Sequence, residues 1–179
     1  LEASAIPLNV TYHTAVGRGA DKTTPDGFSE TGVRARAHFD NEAPYLGRSL
    51  PKGIVRIMQP GPSGKIRFMG SDRIDDKADK EEISLKMGES FDLTTKFKRT
   101  GAKTRLNGTL RDYSYRAILK NGSGRKAQIR VLSPRLSGNW EITSTTHAHN
   151  KRDATSVIWT VDVPAKDETI LEFSVRERR

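Results

Sequence analysis

The chain has no cysteine among its 179 residues. That removes disulfides, thiolate metal centres and a cysteine nucleophile from consideration, but it leaves the compartment open, because exported proteins can also lack cysteine. Long apolar runs are missing as well: nothing approaches the ~20 consecutive residues that a bilayer-spanning helix needs. Leu1-Glu2-Ala3-Ser4 has neither the charged start nor the apolar middle of a secretion signal. The chain is therefore expected to be soluble and, starting without Met, to be a trimmed piece of something longer. No stretch sustains a capped apolar repeat of helical period. The best helical candidate, Asp75 to Glu82, is almost wholly charged and reads as a loop or single turn. Acids are the last shortage: 22 Asp and Glu against 31 Lys and Arg leave a net charge of +9. This suits a polyanionic partner such as nucleic acid, anionic lipid or an acidic polysaccharide. The bases are nevertheless spread from Arg34 to Arg135, and only Arg176-Glu177-Arg178-Arg179 is dense, which favours solvated strand faces over a dedicated groove.

What is present is short β-branched and aromatic segments separated by Gly, Pro and Asn. Hydrophobic residues make up 34% and charged residues 30% of the chain, so the core has to be thin, each strand giving one face to the interior and one to water. Period-two alternation is clearest in Val157-Ile158-Trp159-Thr160-Val161-Asp162-Val163 and in Leu171, Phe173 and Val175. Strands are expected from Ile6 to Tyr12, Val33 to Phe39, Ile54 to Gln59, Ile66 to Met69, Ile83 to Met87, Phe91 to Phe97, Leu110 to Leu119, Ala127 to Leu132, Trp140 to Thr146, Val157 to Val163 and Thr169 to Val175. Pro60-Gly61-Pro62-Ser63-Gly64, Asn121-Gly122-Ser123-Gly124 and Pro164-Ala165-Lys166-Asp167 read as hairpin turns. The expected fold is all-β: an antiparallel sandwich, immunoglobulin-like over residues 90–179, with a smaller β-rich part over 1–89 that carries a loop near 17–32.

Some segments resemble a known family in their order along the chain. Phe39-Asp40-Asn41 followed by Leu46-Gly47-Arg48-Ser49-Leu50-Pro51-Lys52-Gly53-Ile54-Val55-Arg56, then Phe68-Met69-Gly70-Ser71-Asp72-Arg73-Ile74, then Met87-Gly88-Glu89-Ser90-Phe91-Asp92-Leu93, resemble the successive strands of domain of unknown function 4139, found in mucoidy-inhibitor-type proteins. Tyr115 to Asn121, Ile129-Arg130-Val131, Gly138-Asn139-Trp140-Glu141-Ile142 and Thr160 to Pro164 leading to Leu171 resemble its closing sandwich. The resemblance implies a bacterial envelope setting, periplasmic or extracellular, and brings no catalytic residues with it. It also implies a helical, coiled-coil-prone region ahead of the β part, yet the residues before Phe39 carry no heptads.

Few constellations suggest chemistry. His147-Ala148-His149 would place two imidazoles on one face if the strand from Trp140 continued, and with Asp153 they are the candidate metal ligands; His13 and His38 are distant in sequence. Asp72 to Asp79 lacks the spacing, central Gly and closing Glu of a calcium loop. Gly17-Arg18-Gly19-Ala20-Asp21-Lys22 lacks the ending of a phosphate loop. Gly122-Ser123-Gly124 has no helix behind it to make a nucleophile elbow. Glu141, Asp162 and Glu172 alternate with apolar residues and are expected to face water. Trp159 shares a face with Val157 and Val161 and is expected in the core, whereas Trp140, at a strand start, is a candidate stacking platform for a sugar or base; Trp140, His147 and His149 are the ligand-binding candidates.

The expectation is a non-catalytic interaction or structural module without a cofactor, meeting a protein partner or another copy of itself through strand edges. Carbohydrate binding to an anionic polysaccharide and metal-assisted hydrolysis through His147, His149 and Asp153 are the alternatives. Nucleic acid ranks below both, because RNP-like aromatic motifs and helix-turn-helix patterns are missing.

Overall fold

The computed structural model describes residues 6–17, 27–60, 64–133 and 135–178. In chain order these form β1 (Asn9–Ala15), β2 (Ser29–Asp40), β3 (Gly53–Pro60), β4 (Ile66–Ile74), β5 (Glu82–Arg105), β6 (Leu110–Asn121), β7 (Ala127–Ser133), β8 (Asn139–Thr145), β9 (His149–Asp153), β10 (Ser156–Val163) and β11 (Asp167–Arg178). One 3-10 turn, Leu106–Gly108, joins β5 to β6. The fold is all-β, and no helix among the described residues is long and apolar enough to cross a membrane.

The chain divides into two compact units. The first takes Leu1–Thr11 and Arg34–Glu89, and the second takes Tyr12–Val33 and Ser90–Arg179. The described residues of the Tyr12–Val33 stretch, 12–17 and 27–33, thus join the C-terminal unit, although the sequence groups them with the N-terminal part. Most of the loop expected near 17–32, with the phosphate-loop candidate inside it, lies outside the described residues, while residues 29–32 already belong to β2. A second difference concerns β5. Where two strands are expected, Ile83 to Met87 and Phe91 to Phe97, a single strand of 24 residues runs through. Gly88, at φ +88°, looks like a break in the sequence, but inside a strand a glycine marks an irregular position rather than an end.

In the second unit the alternation does what periodicity requires. Val157, Trp159, Val161 and Val163 of β10 are fully buried, as are Ala117 and Leu119 of β6, Ile129 and Val131 of β7, and Leu171 of β11. Burying each large apolar side chain contributes about 1.5–3 kcal/mol. Hydrogen bonding runs in the order β8-β11-β6-β5-β2-β1-β7-β10-β9. β11 pairs with β6 along its whole length, from Asp167↔Asn121 to Arg178↔Leu110. β7 takes β10 antiparallel on one side and β1 parallel on the other. β10 and β11 share no ladder and instead face each other, the rings of Trp159 and Phe173 lying 4.3 Å apart, while Tyr115, the cross-strand partner of Phe173 on β6, stacks beside it at 5.1 Å. This face-to-face arrangement is the β-sandwich expected from the sequence.

Two of the three expected hairpins are corrected. Asn121-Gly122-Ser123-Gly124 does not join paired strands, because β6 pairs with β5 and β11 whereas β7 pairs with β1 and β10. Pro164 to Asp167 likewise leads from β10 to β11, which lie near opposite ends of the nine-strand order and pair with different neighbours. Both turns cross the sandwich. Turn residues supply a local reversal and are silent about which strand becomes the neighbour; the apolar faces decide that by packing on each other instead of lying side by side. Asn121 ties the two crossings together. Its buried amide donates to the carbonyls of Arg125, Val163 and Pro164, and its oxygen accepts from the Ser123 backbone N–H and hydroxyl. Lys166 also donates to the Gly122 carbonyl.

The first unit has a smaller core of Ile74, Ile83 and Leu85, with Phe39, Leu50, Val55 and Ile57 packed against it. The third expected hairpin is real: β3 and β4 pair antiparallel from Gly53↔Ile74 to Pro60↔Ile66, with residues 61–63 of the tip outside the described set. Asn41 anchors the connections around this core, its amide donating to the carbonyls of Arg48 and Ala78 at 2.7 Å each.

Candidate functional site

The expected strand through His147 and His149 does not continue. β8 ends at Thr145, and His149 opens β9, which pairs with β10, whereas β8 pairs with β11. The two imidazoles are therefore not neighbours on one strand face. His147 Nδ1 lies 2.9 Å from the Thr146 hydroxyl, and His149 is tilted against Trp159 with ring centroids 6.3 Å apart. The Asp153 carboxylate is occupied in its own turn by the Ser156 hydroxyl and by the Thr155 N–H and hydroxyl. Those bonds, that from Ser156 first, hold its carboxyl below the ordinary aspartate value. Among the described residues no group of three His, Asp or Glu side chains is gathered to hold a metal.

Trp140 is half-buried. Its indole N–H donates to the Ala154 carbonyl at 2.6 Å, its ring packs against the core of the second unit, and the Lys151 ammonium sits 5.0 Å from the ring centroid. The cleft beside it, about 200 Å³, is lined by Leu110, Asn139, Glu141, Arg176 and Arg178. Arg176 is already held by Asp112 at 2.8 Å and by Glu141 at 3.5 Å. Asp112 sits below the ordinary aspartate value chiefly because Arg176 hydrogen-bonds to it. The indole thus acts as a strut between β8 and the turn after β9, and the cleft falls short of the roughly 300–1,000 Å³ of small-molecule pockets.

A row that sequence spacing could not reveal lies in the first unit. His38 of β2 bridges its two neighbours in the sheet, with Nε2 2.9 Å from the Thr11 hydroxyl of β1 and Nδ1 3.1 Å from a Glu82 carboxylate oxygen of β5. Hydroxyl, imidazole and carboxylate come in the order needed to activate a nucleophile. The Glu82 side chain is, however, 65% exposed on an open sheet face, where water screens the pair and leaves a modest interaction that links three strands.

The β3–β4 ribbon departs most from an ordinary solvated strand pair. Its inner side carries Val55 and Ile57 onto the small core. Asp72 is fixed there between backbone N–H groups of Lys86, 2.9 Å, and Arg73, 3.0 Å, the first of which does most to lower its carboxyl below the ordinary value. The outer side is also apolar. Ile54, Met58, Ile66 and Phe68 are 65%, 52%, 72% and 60% exposed. The pairing places Met58 opposite Phe68 and Ile66 opposite the Pro60 backbone, with Arg56 opposite Ser71 and Ile54 opposite Arg73. A register shift between Ile57 and Met58 aligns Phe68 with Met58 on this face. Single exposed apolar residues are ordinary, but a cluster on one face of a two-stranded ribbon marks an interaction surface. The apolar, β-branched run from Ile54 to Gln59 makes the strand legible in the sequence, but with Ile54 and Met58 on one face and Val55 and Ile57 on the other it cannot tell which face meets the core.

Comparison of the chain with protein-family models, curated proteins and solved structures yields no match.

Proposed function

We propose that the chain is a non-catalytic docking module, a β-domain of the domain of unknown function 4139 type working at the bacterial envelope, that engages its partner through the outer face of the β3–β4 ribbon. One observation carries this reading: Ile54, Met58, Ile66 and Phe68 lie exposed on the same side of a ribbon whose opposite side already packs on a core. Burying such side chains on association contributes about 1.5–3 kcal/mol each before the costs of binding. The conditions of the other candidate groups support it too. The Asp153 carboxylate serves its own turn and the Trp140 N–H is bonded to a backbone carbonyl.

The test compares the wild-type chain with a Met58→Ser/Phe68→Ser variant as bait for envelope fractions. Both positions face solvent, so the variant is expected to fold unchanged by near-ultraviolet circular dichroism and to retain the captured component at least tenfold less. Equal capture by the two baits would remove the ribbon as the docking surface.

A further inference from the structure

Taking the ribbon as the docking surface, we infer that its occupant is an extended segment of a protein partner, which adds a strand along the free edge of β3 and carries an acidic residue for Arg56 between apolar residues for Ile54 and Met58. The reason is the direction of the β3 backbone. Leu50 and Lys77 exchange both of their backbone hydrogen bonds, at 2.8 and 2.9 Å, and the same register continues without a shift from Gly53↔Ile74 to Ile57↔Gly70. Hydrogen-bonded and non-bonded pairs alternate along an antiparallel ladder. Lys52, Ile54 and Arg56 therefore turn their backbone groups toward β4, and the Lys52 N–H donates to the Asp76 carboxylate on that side at 2.8 Å. Gly53, Val55 and Ile57 turn theirs the other way. No strand among the described residues pairs there, because β3 and β4 form a sheet of their own. The far side of β4 differs: β5 covers it, with Asp72 accepting the Lys86 N–H at 2.9 Å and the Met87 carbonyl close upon Gly70.

Open edges are ordinarily blunted by charge, proline, a bulge or shortness. β9, at one end of the nine-strand order, follows that rule with His149-Asn150-Lys151-Arg152-Asp153, all exposed. β3 does not. Ile54-Val55-Arg56-Ile57-Met58 holds a single charge, and the register shift skips a residue on β4, which leaves β3 regular. A strand added there bonds to the backbone of Gly53, Val55 and Ile57 and lays alternate side chains beside Ile54, Arg56 and Met58 on the outer face. Charge selects the middle one. Asp72, the one acid among the described residues of β3 and β4, is turned to Lys86, and no carboxylate among the described residues pairs with Arg56 or Arg73. An acid beside Arg56 supplies that partner. A second copy adding its own β3 in the antiparallel register centred on Arg56 sets two arginines against each other, and a lipid layer leaves the open backbone groups without partners.

Fluorescence anisotropy of short labelled peptides against the full chain tests the inference. The first peptide alternates valine, glutamate and valine on one face with threonine on the other; the second has lysine for glutamate; the third is the first, N-methylated at the amides that would meet β3. The first is expected to bind, less so as salt rises, the second about fivefold more weakly, and the third not at all. Arg56→Glu should reverse the preference between the first two. With the first peptide bound, amide exchange should slow at Gly53, Val55 and Ile57 and stay unchanged at Ile54 and Arg56. Absence of binding by the first peptide, equal binding of the N-methylated one, or protection that ignores the alternation overturns strand addition. So does self-association, in sedimentation equilibrium, that the first peptide fails to displace, since the occupant is then a second copy. If the first peptide is ignored while Met58→Ser/Phe68→Ser still loses an envelope component, the ribbon face remains the docking surface and only strand addition falls. If neither peptide binding nor capture responds, both readings fall.

Discussion

At the residue scale, the decisive positions are polar groups whose partners come from far along the chain. Asn121 reads in sequence as a turn former, and it is that, but its fully buried amide also holds Val163 and Pro164, more than forty positions away. Replacing it with Leu takes the amide donor from the Val163 and Pro164 carbonyls and the acceptor from the Ser123 N–H. The expected loss is about 3 kcal/mol or more, measured as the free energy of urea unfolding; a loss under about 1 kcal/mol would show that the crossings hold without it. Asp112 makes a different prediction. Its hydrogen bond from Arg176, helped by the nearby charges of Arg176, Arg105 and Lys103 and opposed by partial burial, lowers its pKa below 3.8. A carboxyl depressed on folding stabilises the native state wherever the unfolded chain would still be ionised, and that contribution is lost as pH falls through 3.8 toward the folded value. Urea midpoints should therefore be level above about pH 5 and fall below it. Asp112→Asn should flatten the acid limb in part, since Asp72 and Asp153 are depressed in the same direction.

At the element scale, strands were easier to read than their partners. Alternation in Val157 to Val163 or Leu171 to Val175 is a local property of the backbone, because successive side chains point to opposite faces. The reach of β5 past Phe97 is not legible in the sequence, because Lys98 to Arg105 is mostly polar and exposes most of its side chains. Asn107-Gly108, at the 3-10 turn before β6, was the available signal for a β5–β6 hairpin. The β4 strand depends on a close approach that only glycine allows. A Cβ on Gly70 would lie 2.8 Å from the Met87 carbonyl oxygen, at a φ of +152° that side chains avoid. Gly70→Ala is expected to cost about 2 kcal/mol and to speed amide exchange in β4 and β5 selectively. Unchanged exchange there would mean the two strands can separate without loss.

At the scale of the whole molecule, the second unit is discontinuous in sequence. Residues 90–179 look like a complete sandwich, yet β1 covers the side of β7, and Thr14, Val16, Phe28 and Val33 are buried in the described structure. Cutting the chain at Ser90 removes them, a loss of about 1.5–3 kcal/mol for each large apolar side chain against a typical domain stability of about 5–15 kcal/mol. A fragment of residues 90–179 is expected to melt without cooperativity and without the near-ultraviolet signal of a packed Trp159; a cooperative melt with the full-length signal would contradict this. Composition and period by themselves determined that the protein is all-β, thin-cored and basic, and that Trp159 is buried, because those properties follow from residue types and from spacing within one strand. Tertiary structure alone decided that Asn121 spans two crossings, that His38 meets Thr11 and Glu82, that His147 and His149 part company, and which apolar face of the ribbon stays outside. Each of these depends on a meeting of residues from different strands, and local chain chemistry does not specify which strands become neighbours.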